Sequence, residues 1–129
     1  MTIDIAAARR NLQARAERER AEREARRAAA ERAVAEAVRR AVADFPAVRR
    51  VYLFGSVTRE NAFRADSDVD VAIEGLGGAD YFPVWKAIED AAPEWVIDVR
   101  DITQPSDFAD RIRERGKLIY ESVDQTAQS

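Results

Sequence analysis

"LFGSVTRENAFRADSDVDVAI", residues 53–73, joins a Gly-Ser pair to two aspartates one residue apart. The apolar residues around those aspartates read as a strand, where an ionised carboxylate is costly unless a cation, a set of donors or open water compensates it. In a strand, residues i and i+2 share a face, so Asp68 and Asp70 present their carboxylates together while Val69 and Val71 turn to a core. Two hard oxygen ligands on one face suit a divalent cation, Mg²⁺ foremost, whose shell is completed by water and substrate phosphate.

A third carboxylate, Asp98, lies inside "WVIDVRD" on what reads as another strand that can lie beside the first. An isolated buried aspartate there makes little structural sense. It can join a second metal ion or accept a proton from an attacking hydroxyl. Asp101, where that strand ends, is the weaker candidate. Gly55-Ser56 falls at a strand-to-helix junction, where glycine lets a ligand approach the backbone and a helix N-terminus attracts anions, so a phosphate belongs there. A plain N-cap role for Ser56 is the alternative. Other phosphate loops are absent: the chain has no G-x-x-x-x-G-K-[ST] and no G-x-G-x-x-G. It also lacks a G-x-S-x-G elbow that would make Ser56 a nucleophile.

The composition narrows the chemistry further. With no cysteine and no histidine, thiolate nucleophiles, disulfides, imidazole metal sites and Ser-His triads are excluded. The 129 residues, 47% apolar and 35% charged, suffice for one compact domain with an appendage. The net charge of −3 is uneven: residues 1–44 hold eleven Arg against eight acids, and the rest holds ten Lys or Arg against sixteen acids. An acidic body does not favour nucleic acid as the main partner. The N-terminus lacks an apolar leader and no later stretch is long enough to span a bilayer, which places the protein in the cytoplasm with no membrane role.

Residues 6–44 are mostly Ala, Arg and Glu without Gly or Pro, which predicts one long helix ending at Phe45-Pro46. Glu19 with Arg23 and Glu22 with Arg26 stand in the favourable i,i+4 order, with Glu17–Arg20 and Glu24–Arg27 at i+3. Only Val34, Val38, Val42 and Phe45 form an apolar stripe, so the C-terminal third docks on the body and the rest projects. No heptad seam is sustained, and the projecting part reads either as a solvated helix or as an arm for homo- or hetero-association.

Beyond Pro46, "VRRVYLF", "SDVDVAIE" and "EWVIDVRDI" read as three strands. A helix starting near Tyr81 carries Trp85, Ile88 and Ala92 on one face and stops at Pro93. A second starts at Ser106 and ends at Gly116, before "KLIYE", a closing strand or apolar tail. The division is an arm at 1–44, a domain at 45–123 and a frayed tail at 124–129. Such alternation predicts an α/β or α+β layer domain with helices on a mixed sheet.

The stretch quoted first resembles the G-S-x10-D-x-D signature of the DNA polymerase β-type nucleotidyltransferase superfamily, and the small size resembles its minimal nucleotidyltransferase (MNT) branch. The similarity spans about residues 34–121, including "VIDVRDI" and the closing "FADRIRERGKLIYE". The resemblance implies a small mixed sheet with helices on it, Gly55, Ser56 and Ser67 on the nucleotide, and Asp68, Asp70 and Asp98 as catalytic and metal ligands of a two-metal Mg²⁺ site with Asp98 as base. It implies ATP as donor and AMP transfer to a tyrosine of an all-helical HEPN toxin, with this chain as antitoxin. Members often read G-S-x-x-x-G, and the second glycine is here Glu60. The alternatives are a degenerate transferase acting as a binding module or scaffold and a small-molecule transferase of the aminoglycoside-modifying type.

Overall fold

The computed structural model describes residues 3–123; the expected polar tail, 124–129, lies outside them. Helix α1 (Ile5–Val42) begins at Asp4, whose carboxylate accepts the Ala7 N–H at 2.9 Å. It ends two residues short of the predicted Asp44, where the Asp44 and Phe45 N–H groups turn back to Ala41 and Val42 ahead of Pro46. Its buried side chains are Ala30, Val34, Ala35, Ala37, Val38, Ala41 and Val42, and contact with the domain reaches further back along the helix through Arg26 and Arg27. Of the four predicted Glu–Arg pairs, only Glu24–Arg27 forms among the described residues. Arg26 is drawn away to Ala65 instead.

Four strands make one mixed sheet in the order β3-β2-β1-β4: β1 (Arg50–Phe54), β2 (Val69–Glu74), β3 (Ile97–Asp101) and β4 (Lys117–Glu121). β1 runs antiparallel to β2 and β4, and β2 runs parallel to β3. "KLIYE" is therefore a true strand, paired along β1. The parallel pair needs a crossover, which α2 (Tyr81–Ala91) supplies. α3 (Asp107–Arg115) starts at Ser106, whose hydroxyl accepts the Ala109 N–H at 3.0 Å, and stops at Gly116.

The two faces of the sheet are built differently. On one, Val51, Leu53, Val69, Val71, Ile73, Ile97 and Val99 are buried in the main core with α1 and α2. On the other, Tyr52 and Ala72 pack with Ile102, Ala109 and Ile112 beneath α3. α3 is also held by Glu74, only 6% exposed, whose carboxylate accepts from Arg113 at 2.8 Å and Arg50 at 3.1 Å. Because α3 is only nine residues long, the C-terminal end of β1 and the N-terminal end of β2 stay partly open on this face. That is where the polar residues of the quoted stretch fall. No described helix is long and apolar enough to cross a membrane.

Candidate active site

Gly55 follows the last residue of β1 with φ +73°, a conformation that side chains other than glycine rarely adopt. A Cβ there would sit 2.3 Å from Oδ2 of Asp70, so the absent side chain is the room the carboxylate occupies. Residues Gly55–Thr58 form a single 3₁₀ turn, closed by the Thr58 hydroxyl donating to the Gly55 carbonyl at 2.8 Å and anchored by buried Val57. This corrects the expected strand-to-helix junction. One turn carries no appreciable macrodipole, and Phe54, not Ser56, is the cap residue. The Ser56 hydroxyl has no hydrogen-bond partner among the described residues and faces no competing structural demand.

The ten residues between Ser56 and Ser67 fold back as consecutive turns. Buried Phe63 packs on Trp95 with ring centroids 6.2 Å apart, and Ser67 closes the segment by accepting the Arg64 N–H at 2.8 Å. Ser67 thereby sets the entry into β2, which delivers Asp68 exposed, just before the strand, and Asp70 half-buried within it. Strand register does the rest: Phe54 lies opposite Asp70, and Asp70 opposite Asp98. Asp68, Asp70 and Asp98 therefore share the face opposite the main core. The strand of Asp98 is the sheet edge, and its carbonyls are held on either side of that residue, by Trp85 Nε1 at Ile97 (3.0 Å) and the Tyr81 hydroxyl at Val99 (2.7 Å).

Asp98 is not isolated, as the sequence suggests, but half-buried with Arg100 Nε at 3.2 Å from its Oδ2. Arg100 stands two residues on along the same face, a relation visible in the strand pattern. Burial, then the Asp98 and Asp68 charges, push the Asp70 carboxyl up to about 6, with Arg100 opposing. Asp101 has a structural role: its carboxylate accepts the Thr103 N–H at 2.9 Å and hydroxyl at 2.5 Å.

Among the described residues no three acidic side chains converge closely enough to hold a cation unaided. A hard divalent cation that takes one or two carboxylates and fills its shell with water and phosphate fits what is present, since burial raises the Asp70 carboxyl first and the neighbouring Asp98 and Asp68 charges add repulsion that a cation would offset. Next to Gly55 opens a pocket of about 830 Å³ whose wall includes Phe54, Phe108, Arg59, Arg111 and Arg115, with Glu60 at its lining. Neither Glu60 nor these three arginines forms an ion pair among the described residues. The α3 arginines were not singled out in the sequence, although Arg111 and Arg115 stand at i and i+4 and so share a helix face.

Residues 36–125 match the family described as polymerase beta, nucleotidyltransferase. The chain belongs to that family. Its fold is also shared with solved structures. The toxin–antitoxin MntA–HepT matches with 18% identity and a TM-score of 0.50, over 69% of this chain and 71% of that one. A toxin–antitoxin with AMP-PNP matches with 19% identity and a TM-score of 0.56, over 72% and 76%. No curated protein matches the chain. The matched segment contains the turn at Gly55, Asp68 and Asp70 at the start of β2, and Asp98 opposite Asp70 on β3.

Proposed function

We propose that this nucleotidyltransferase moves AMP from ATP to a tyrosine hydroxyl of a partner protein, with Mg²⁺ bound by Asp68 and Asp70 and completed by Asp98. The reading makes it the cytoplasmic antitoxin of a toxin–antitoxin pair whose toxin is an all-helical HEPN protein. The observation that carries it is the register that sets Asp70 beside Asp98, with Gly55 folded against Asp70. Likeness to the MntA–HepT complex supports the class of partner, and likeness to the complex with AMP-PNP supports the nucleotide.

The sheet order supports a direction for the proposed reaction. Transfer at phosphorus runs roughly in line, so attacking and leaving oxygens lie on opposite sides. Asp98 is on edge strand β3, and Gly55 follows β1 on the far side of Asp70. A hydroxyl approaching from the β3 side loses its proton to Asp98 as its oxygen bonds to the α-phosphorus. The bond from that phosphorus to the bridging oxygen breaks, and pyrophosphate leaves toward Gly55 and Ser56. Beyond them the guanidiniums of Arg59, Arg111 and Arg115, which form no ion pair among the described residues, offset its charge. Bound at the carboxylates, a divalent cation supplies positive charge against the phosphate oxygens.

Calorimetric titration of ATP into the protein, with and without Mg²⁺, tests the site. Binding should require the metal and vanish in Asp68→Asn/Asp70→Asn. Incubation with the genetically adjacent protein, ATP and Mg²⁺ should then add AMP to a tyrosine, read by mass spectrometry. No adduct and no association would defeat the antitoxin reading. Glu60 at the pocket favours a second reading, a binding module without transfer, which predicts association with the partner and no adduct.

A further inference from the structure

We infer that Arg26 and Arg27 of α1, outside the segment 36–125 that matches the family, are positioning residues for the nucleotide site. The inference rests on the proposed reading of Gly55–Asp68 as the nucleotide-binding segment. The sequence alone suggests that the helix before Val34 projects, as a solvated helix or an association arm, yet these two adjacent arginines diverge to opposite ends of that segment.

Arg27 donates from Nη1 to the carbonyl of Val57 at 2.9 Å. This is the residue after Ser56, inside a single turn that no following helix stabilises. The guanidinium is aimed there by carboxylates on both sides: Nε donates to Glu24 at 2.9 Å, and Nη1 reaches Glu31 at 3.3 Å. Glu31 is in turn ion-paired to Lys117 at the start of β4. With its side chain only 16% exposed, Arg27 is held in one place, which most surface arginines are not. Arg26 takes the other end. Its Nη2 donates to the Ala65 carbonyl at 3.3 Å, and its guanidinium carbon lies 4.8 Å from the centroid of the Trp95 ring, which packs on Phe63 of the same segment.

Between them the two residues tie the Ser56 turn and the turn before Ser67 to one rigid helix. Because their side chains diverge from adjacent helix positions, one short piece of α1 supports both the turn at Ser56 and the turn that precedes Ser67. A loop so fixed loses less freedom when a ligand binds, which is the physical content of preorganisation.

The test uses the full chain. Arg27→Ala and Arg26→Ala should weaken Mg²⁺-dependent ATP binding, measured by calorimetry, by about tenfold. Arg27→Lys, which keeps a donor for Val57 and a charge for Glu31, should stay within about threefold of the native chain. Arg18→Ala, on the exposed part of α1, should change nothing. Hydrogen exchange of the amides at 55–59 and 64–68 is the second readout and should accelerate in the alanine variants. Arg27→Gln replaces Arg27→Ala should the latter not fold. Unchanged affinity in the alanine variants overturns the inference, as does a lysine variant as weak as the alanine one. If the native chain binds no ATP, the nucleotide reading fails, and exchange alone decides the anchoring: acceleration upholds it and unchanged rates overturn it.

Discussion

Replacing Asp70 by asparagine should make the metal-free protein more stable at neutral pH while removing its nucleotide binding. The Asp70 carboxyl is raised from 3.8 to about 6 by burial and by the neighbouring Asp98 and Asp68 charges. A raised carboxyl pKa means the native chain keeps this proton to higher pH than the unfolded chain does. Stability therefore falls as pH rises from about 4 to about 6, and the full cost stands above that. Two pKa units correspond to about 3 kcal/mol at pH 8 as an upper bound, and about a third of that at pH 4.5, where the unfolded carboxyl is already mostly ionised. Asp70 is half-buried and Arg100 offsets part of the repulsion, so about 1–2 kcal/mol is the working expectation at pH 8. Urea denaturation, followed by Trp85 and Trp95 fluorescence in the presence of a chelator, would compare native chain and Asp70→Asn at both pH values. Titrating groups that do not interact with Asp70 cancel in the difference between the two proteins. A difference independent of pH, or a variant less stable at pH 8, would refute the assignment of the cost to this carboxylate. Adding Mg²⁺ should raise the native midpoint and leave that of Asp70→Asn unmoved.

Gly55→Ala forces a methyl group onto Asp70 Oδ2 and strains a positive φ, so it should cost about 1–3 kcal/mol in denaturant unfolding and abolish ATP binding in calorimetry. Glu74→Gln leaves Arg113 and Arg50 facing a neutral group at a buried position and should cost about 1–3 kcal/mol, read the same way. Burial opposes ionisation of Glu74, but the bonds from Arg113 and Arg50 outweigh it and lower its pKa. Its stabilising share is therefore present above the ordinary glutamate range and lost as pH falls through its depressed value. Glu60→Gly removes a negative charge beside Arg59 and should tighten ATP binding by about two- to fivefold at low salt, less at high salt.

How much of this was legible in the sequence follows from what kind of information each feature needs. Alternation placed Val69 and Val71 inward and Asp68 and Asp70 outward, and both valines are fully buried. Ser106 and Gly116 bounded α3 because caps are chemical and local. The pairing of Asp70 with Asp98 needed the strand order, which alternation does not contain, whereas Arg100 shares a face with Asp98 by alternation alone. The helix expected after Gly55-Ser56 failed for a local reason. Thr58 bonds back to Gly55, and Arg59 is already extended, so one turn is all that forms. The anchoring role of Arg26 was hidden by its place in an i,i+4 pattern with Glu22 that looked sufficient.

The two faces of the sheet explain why so costly a residue as Asp70 can be kept. In β2 every second side chain belongs to the main core, and burial of Val69, Val71 and Ile73 specifies the register, since a slip of one residue would put Asp68 and Asp70 into that core. The core residues thus fix the position of the carboxylates without touching them. Neighbouring residues on the polar face complete the arrangement: Gly55 makes room for Asp70, Arg100 bonds Asp98, and the bonds of Trp85 and Tyr81 hold the edge strand from outside. Mutual repulsion among the three carboxylates then persists because relaxing it would require moving strands whose other faces are packed. On the proposed reading a cation bound there would relieve that repulsion, so the same register that costs the metal-free protein stability would raise its affinity for a metal–nucleotide complex.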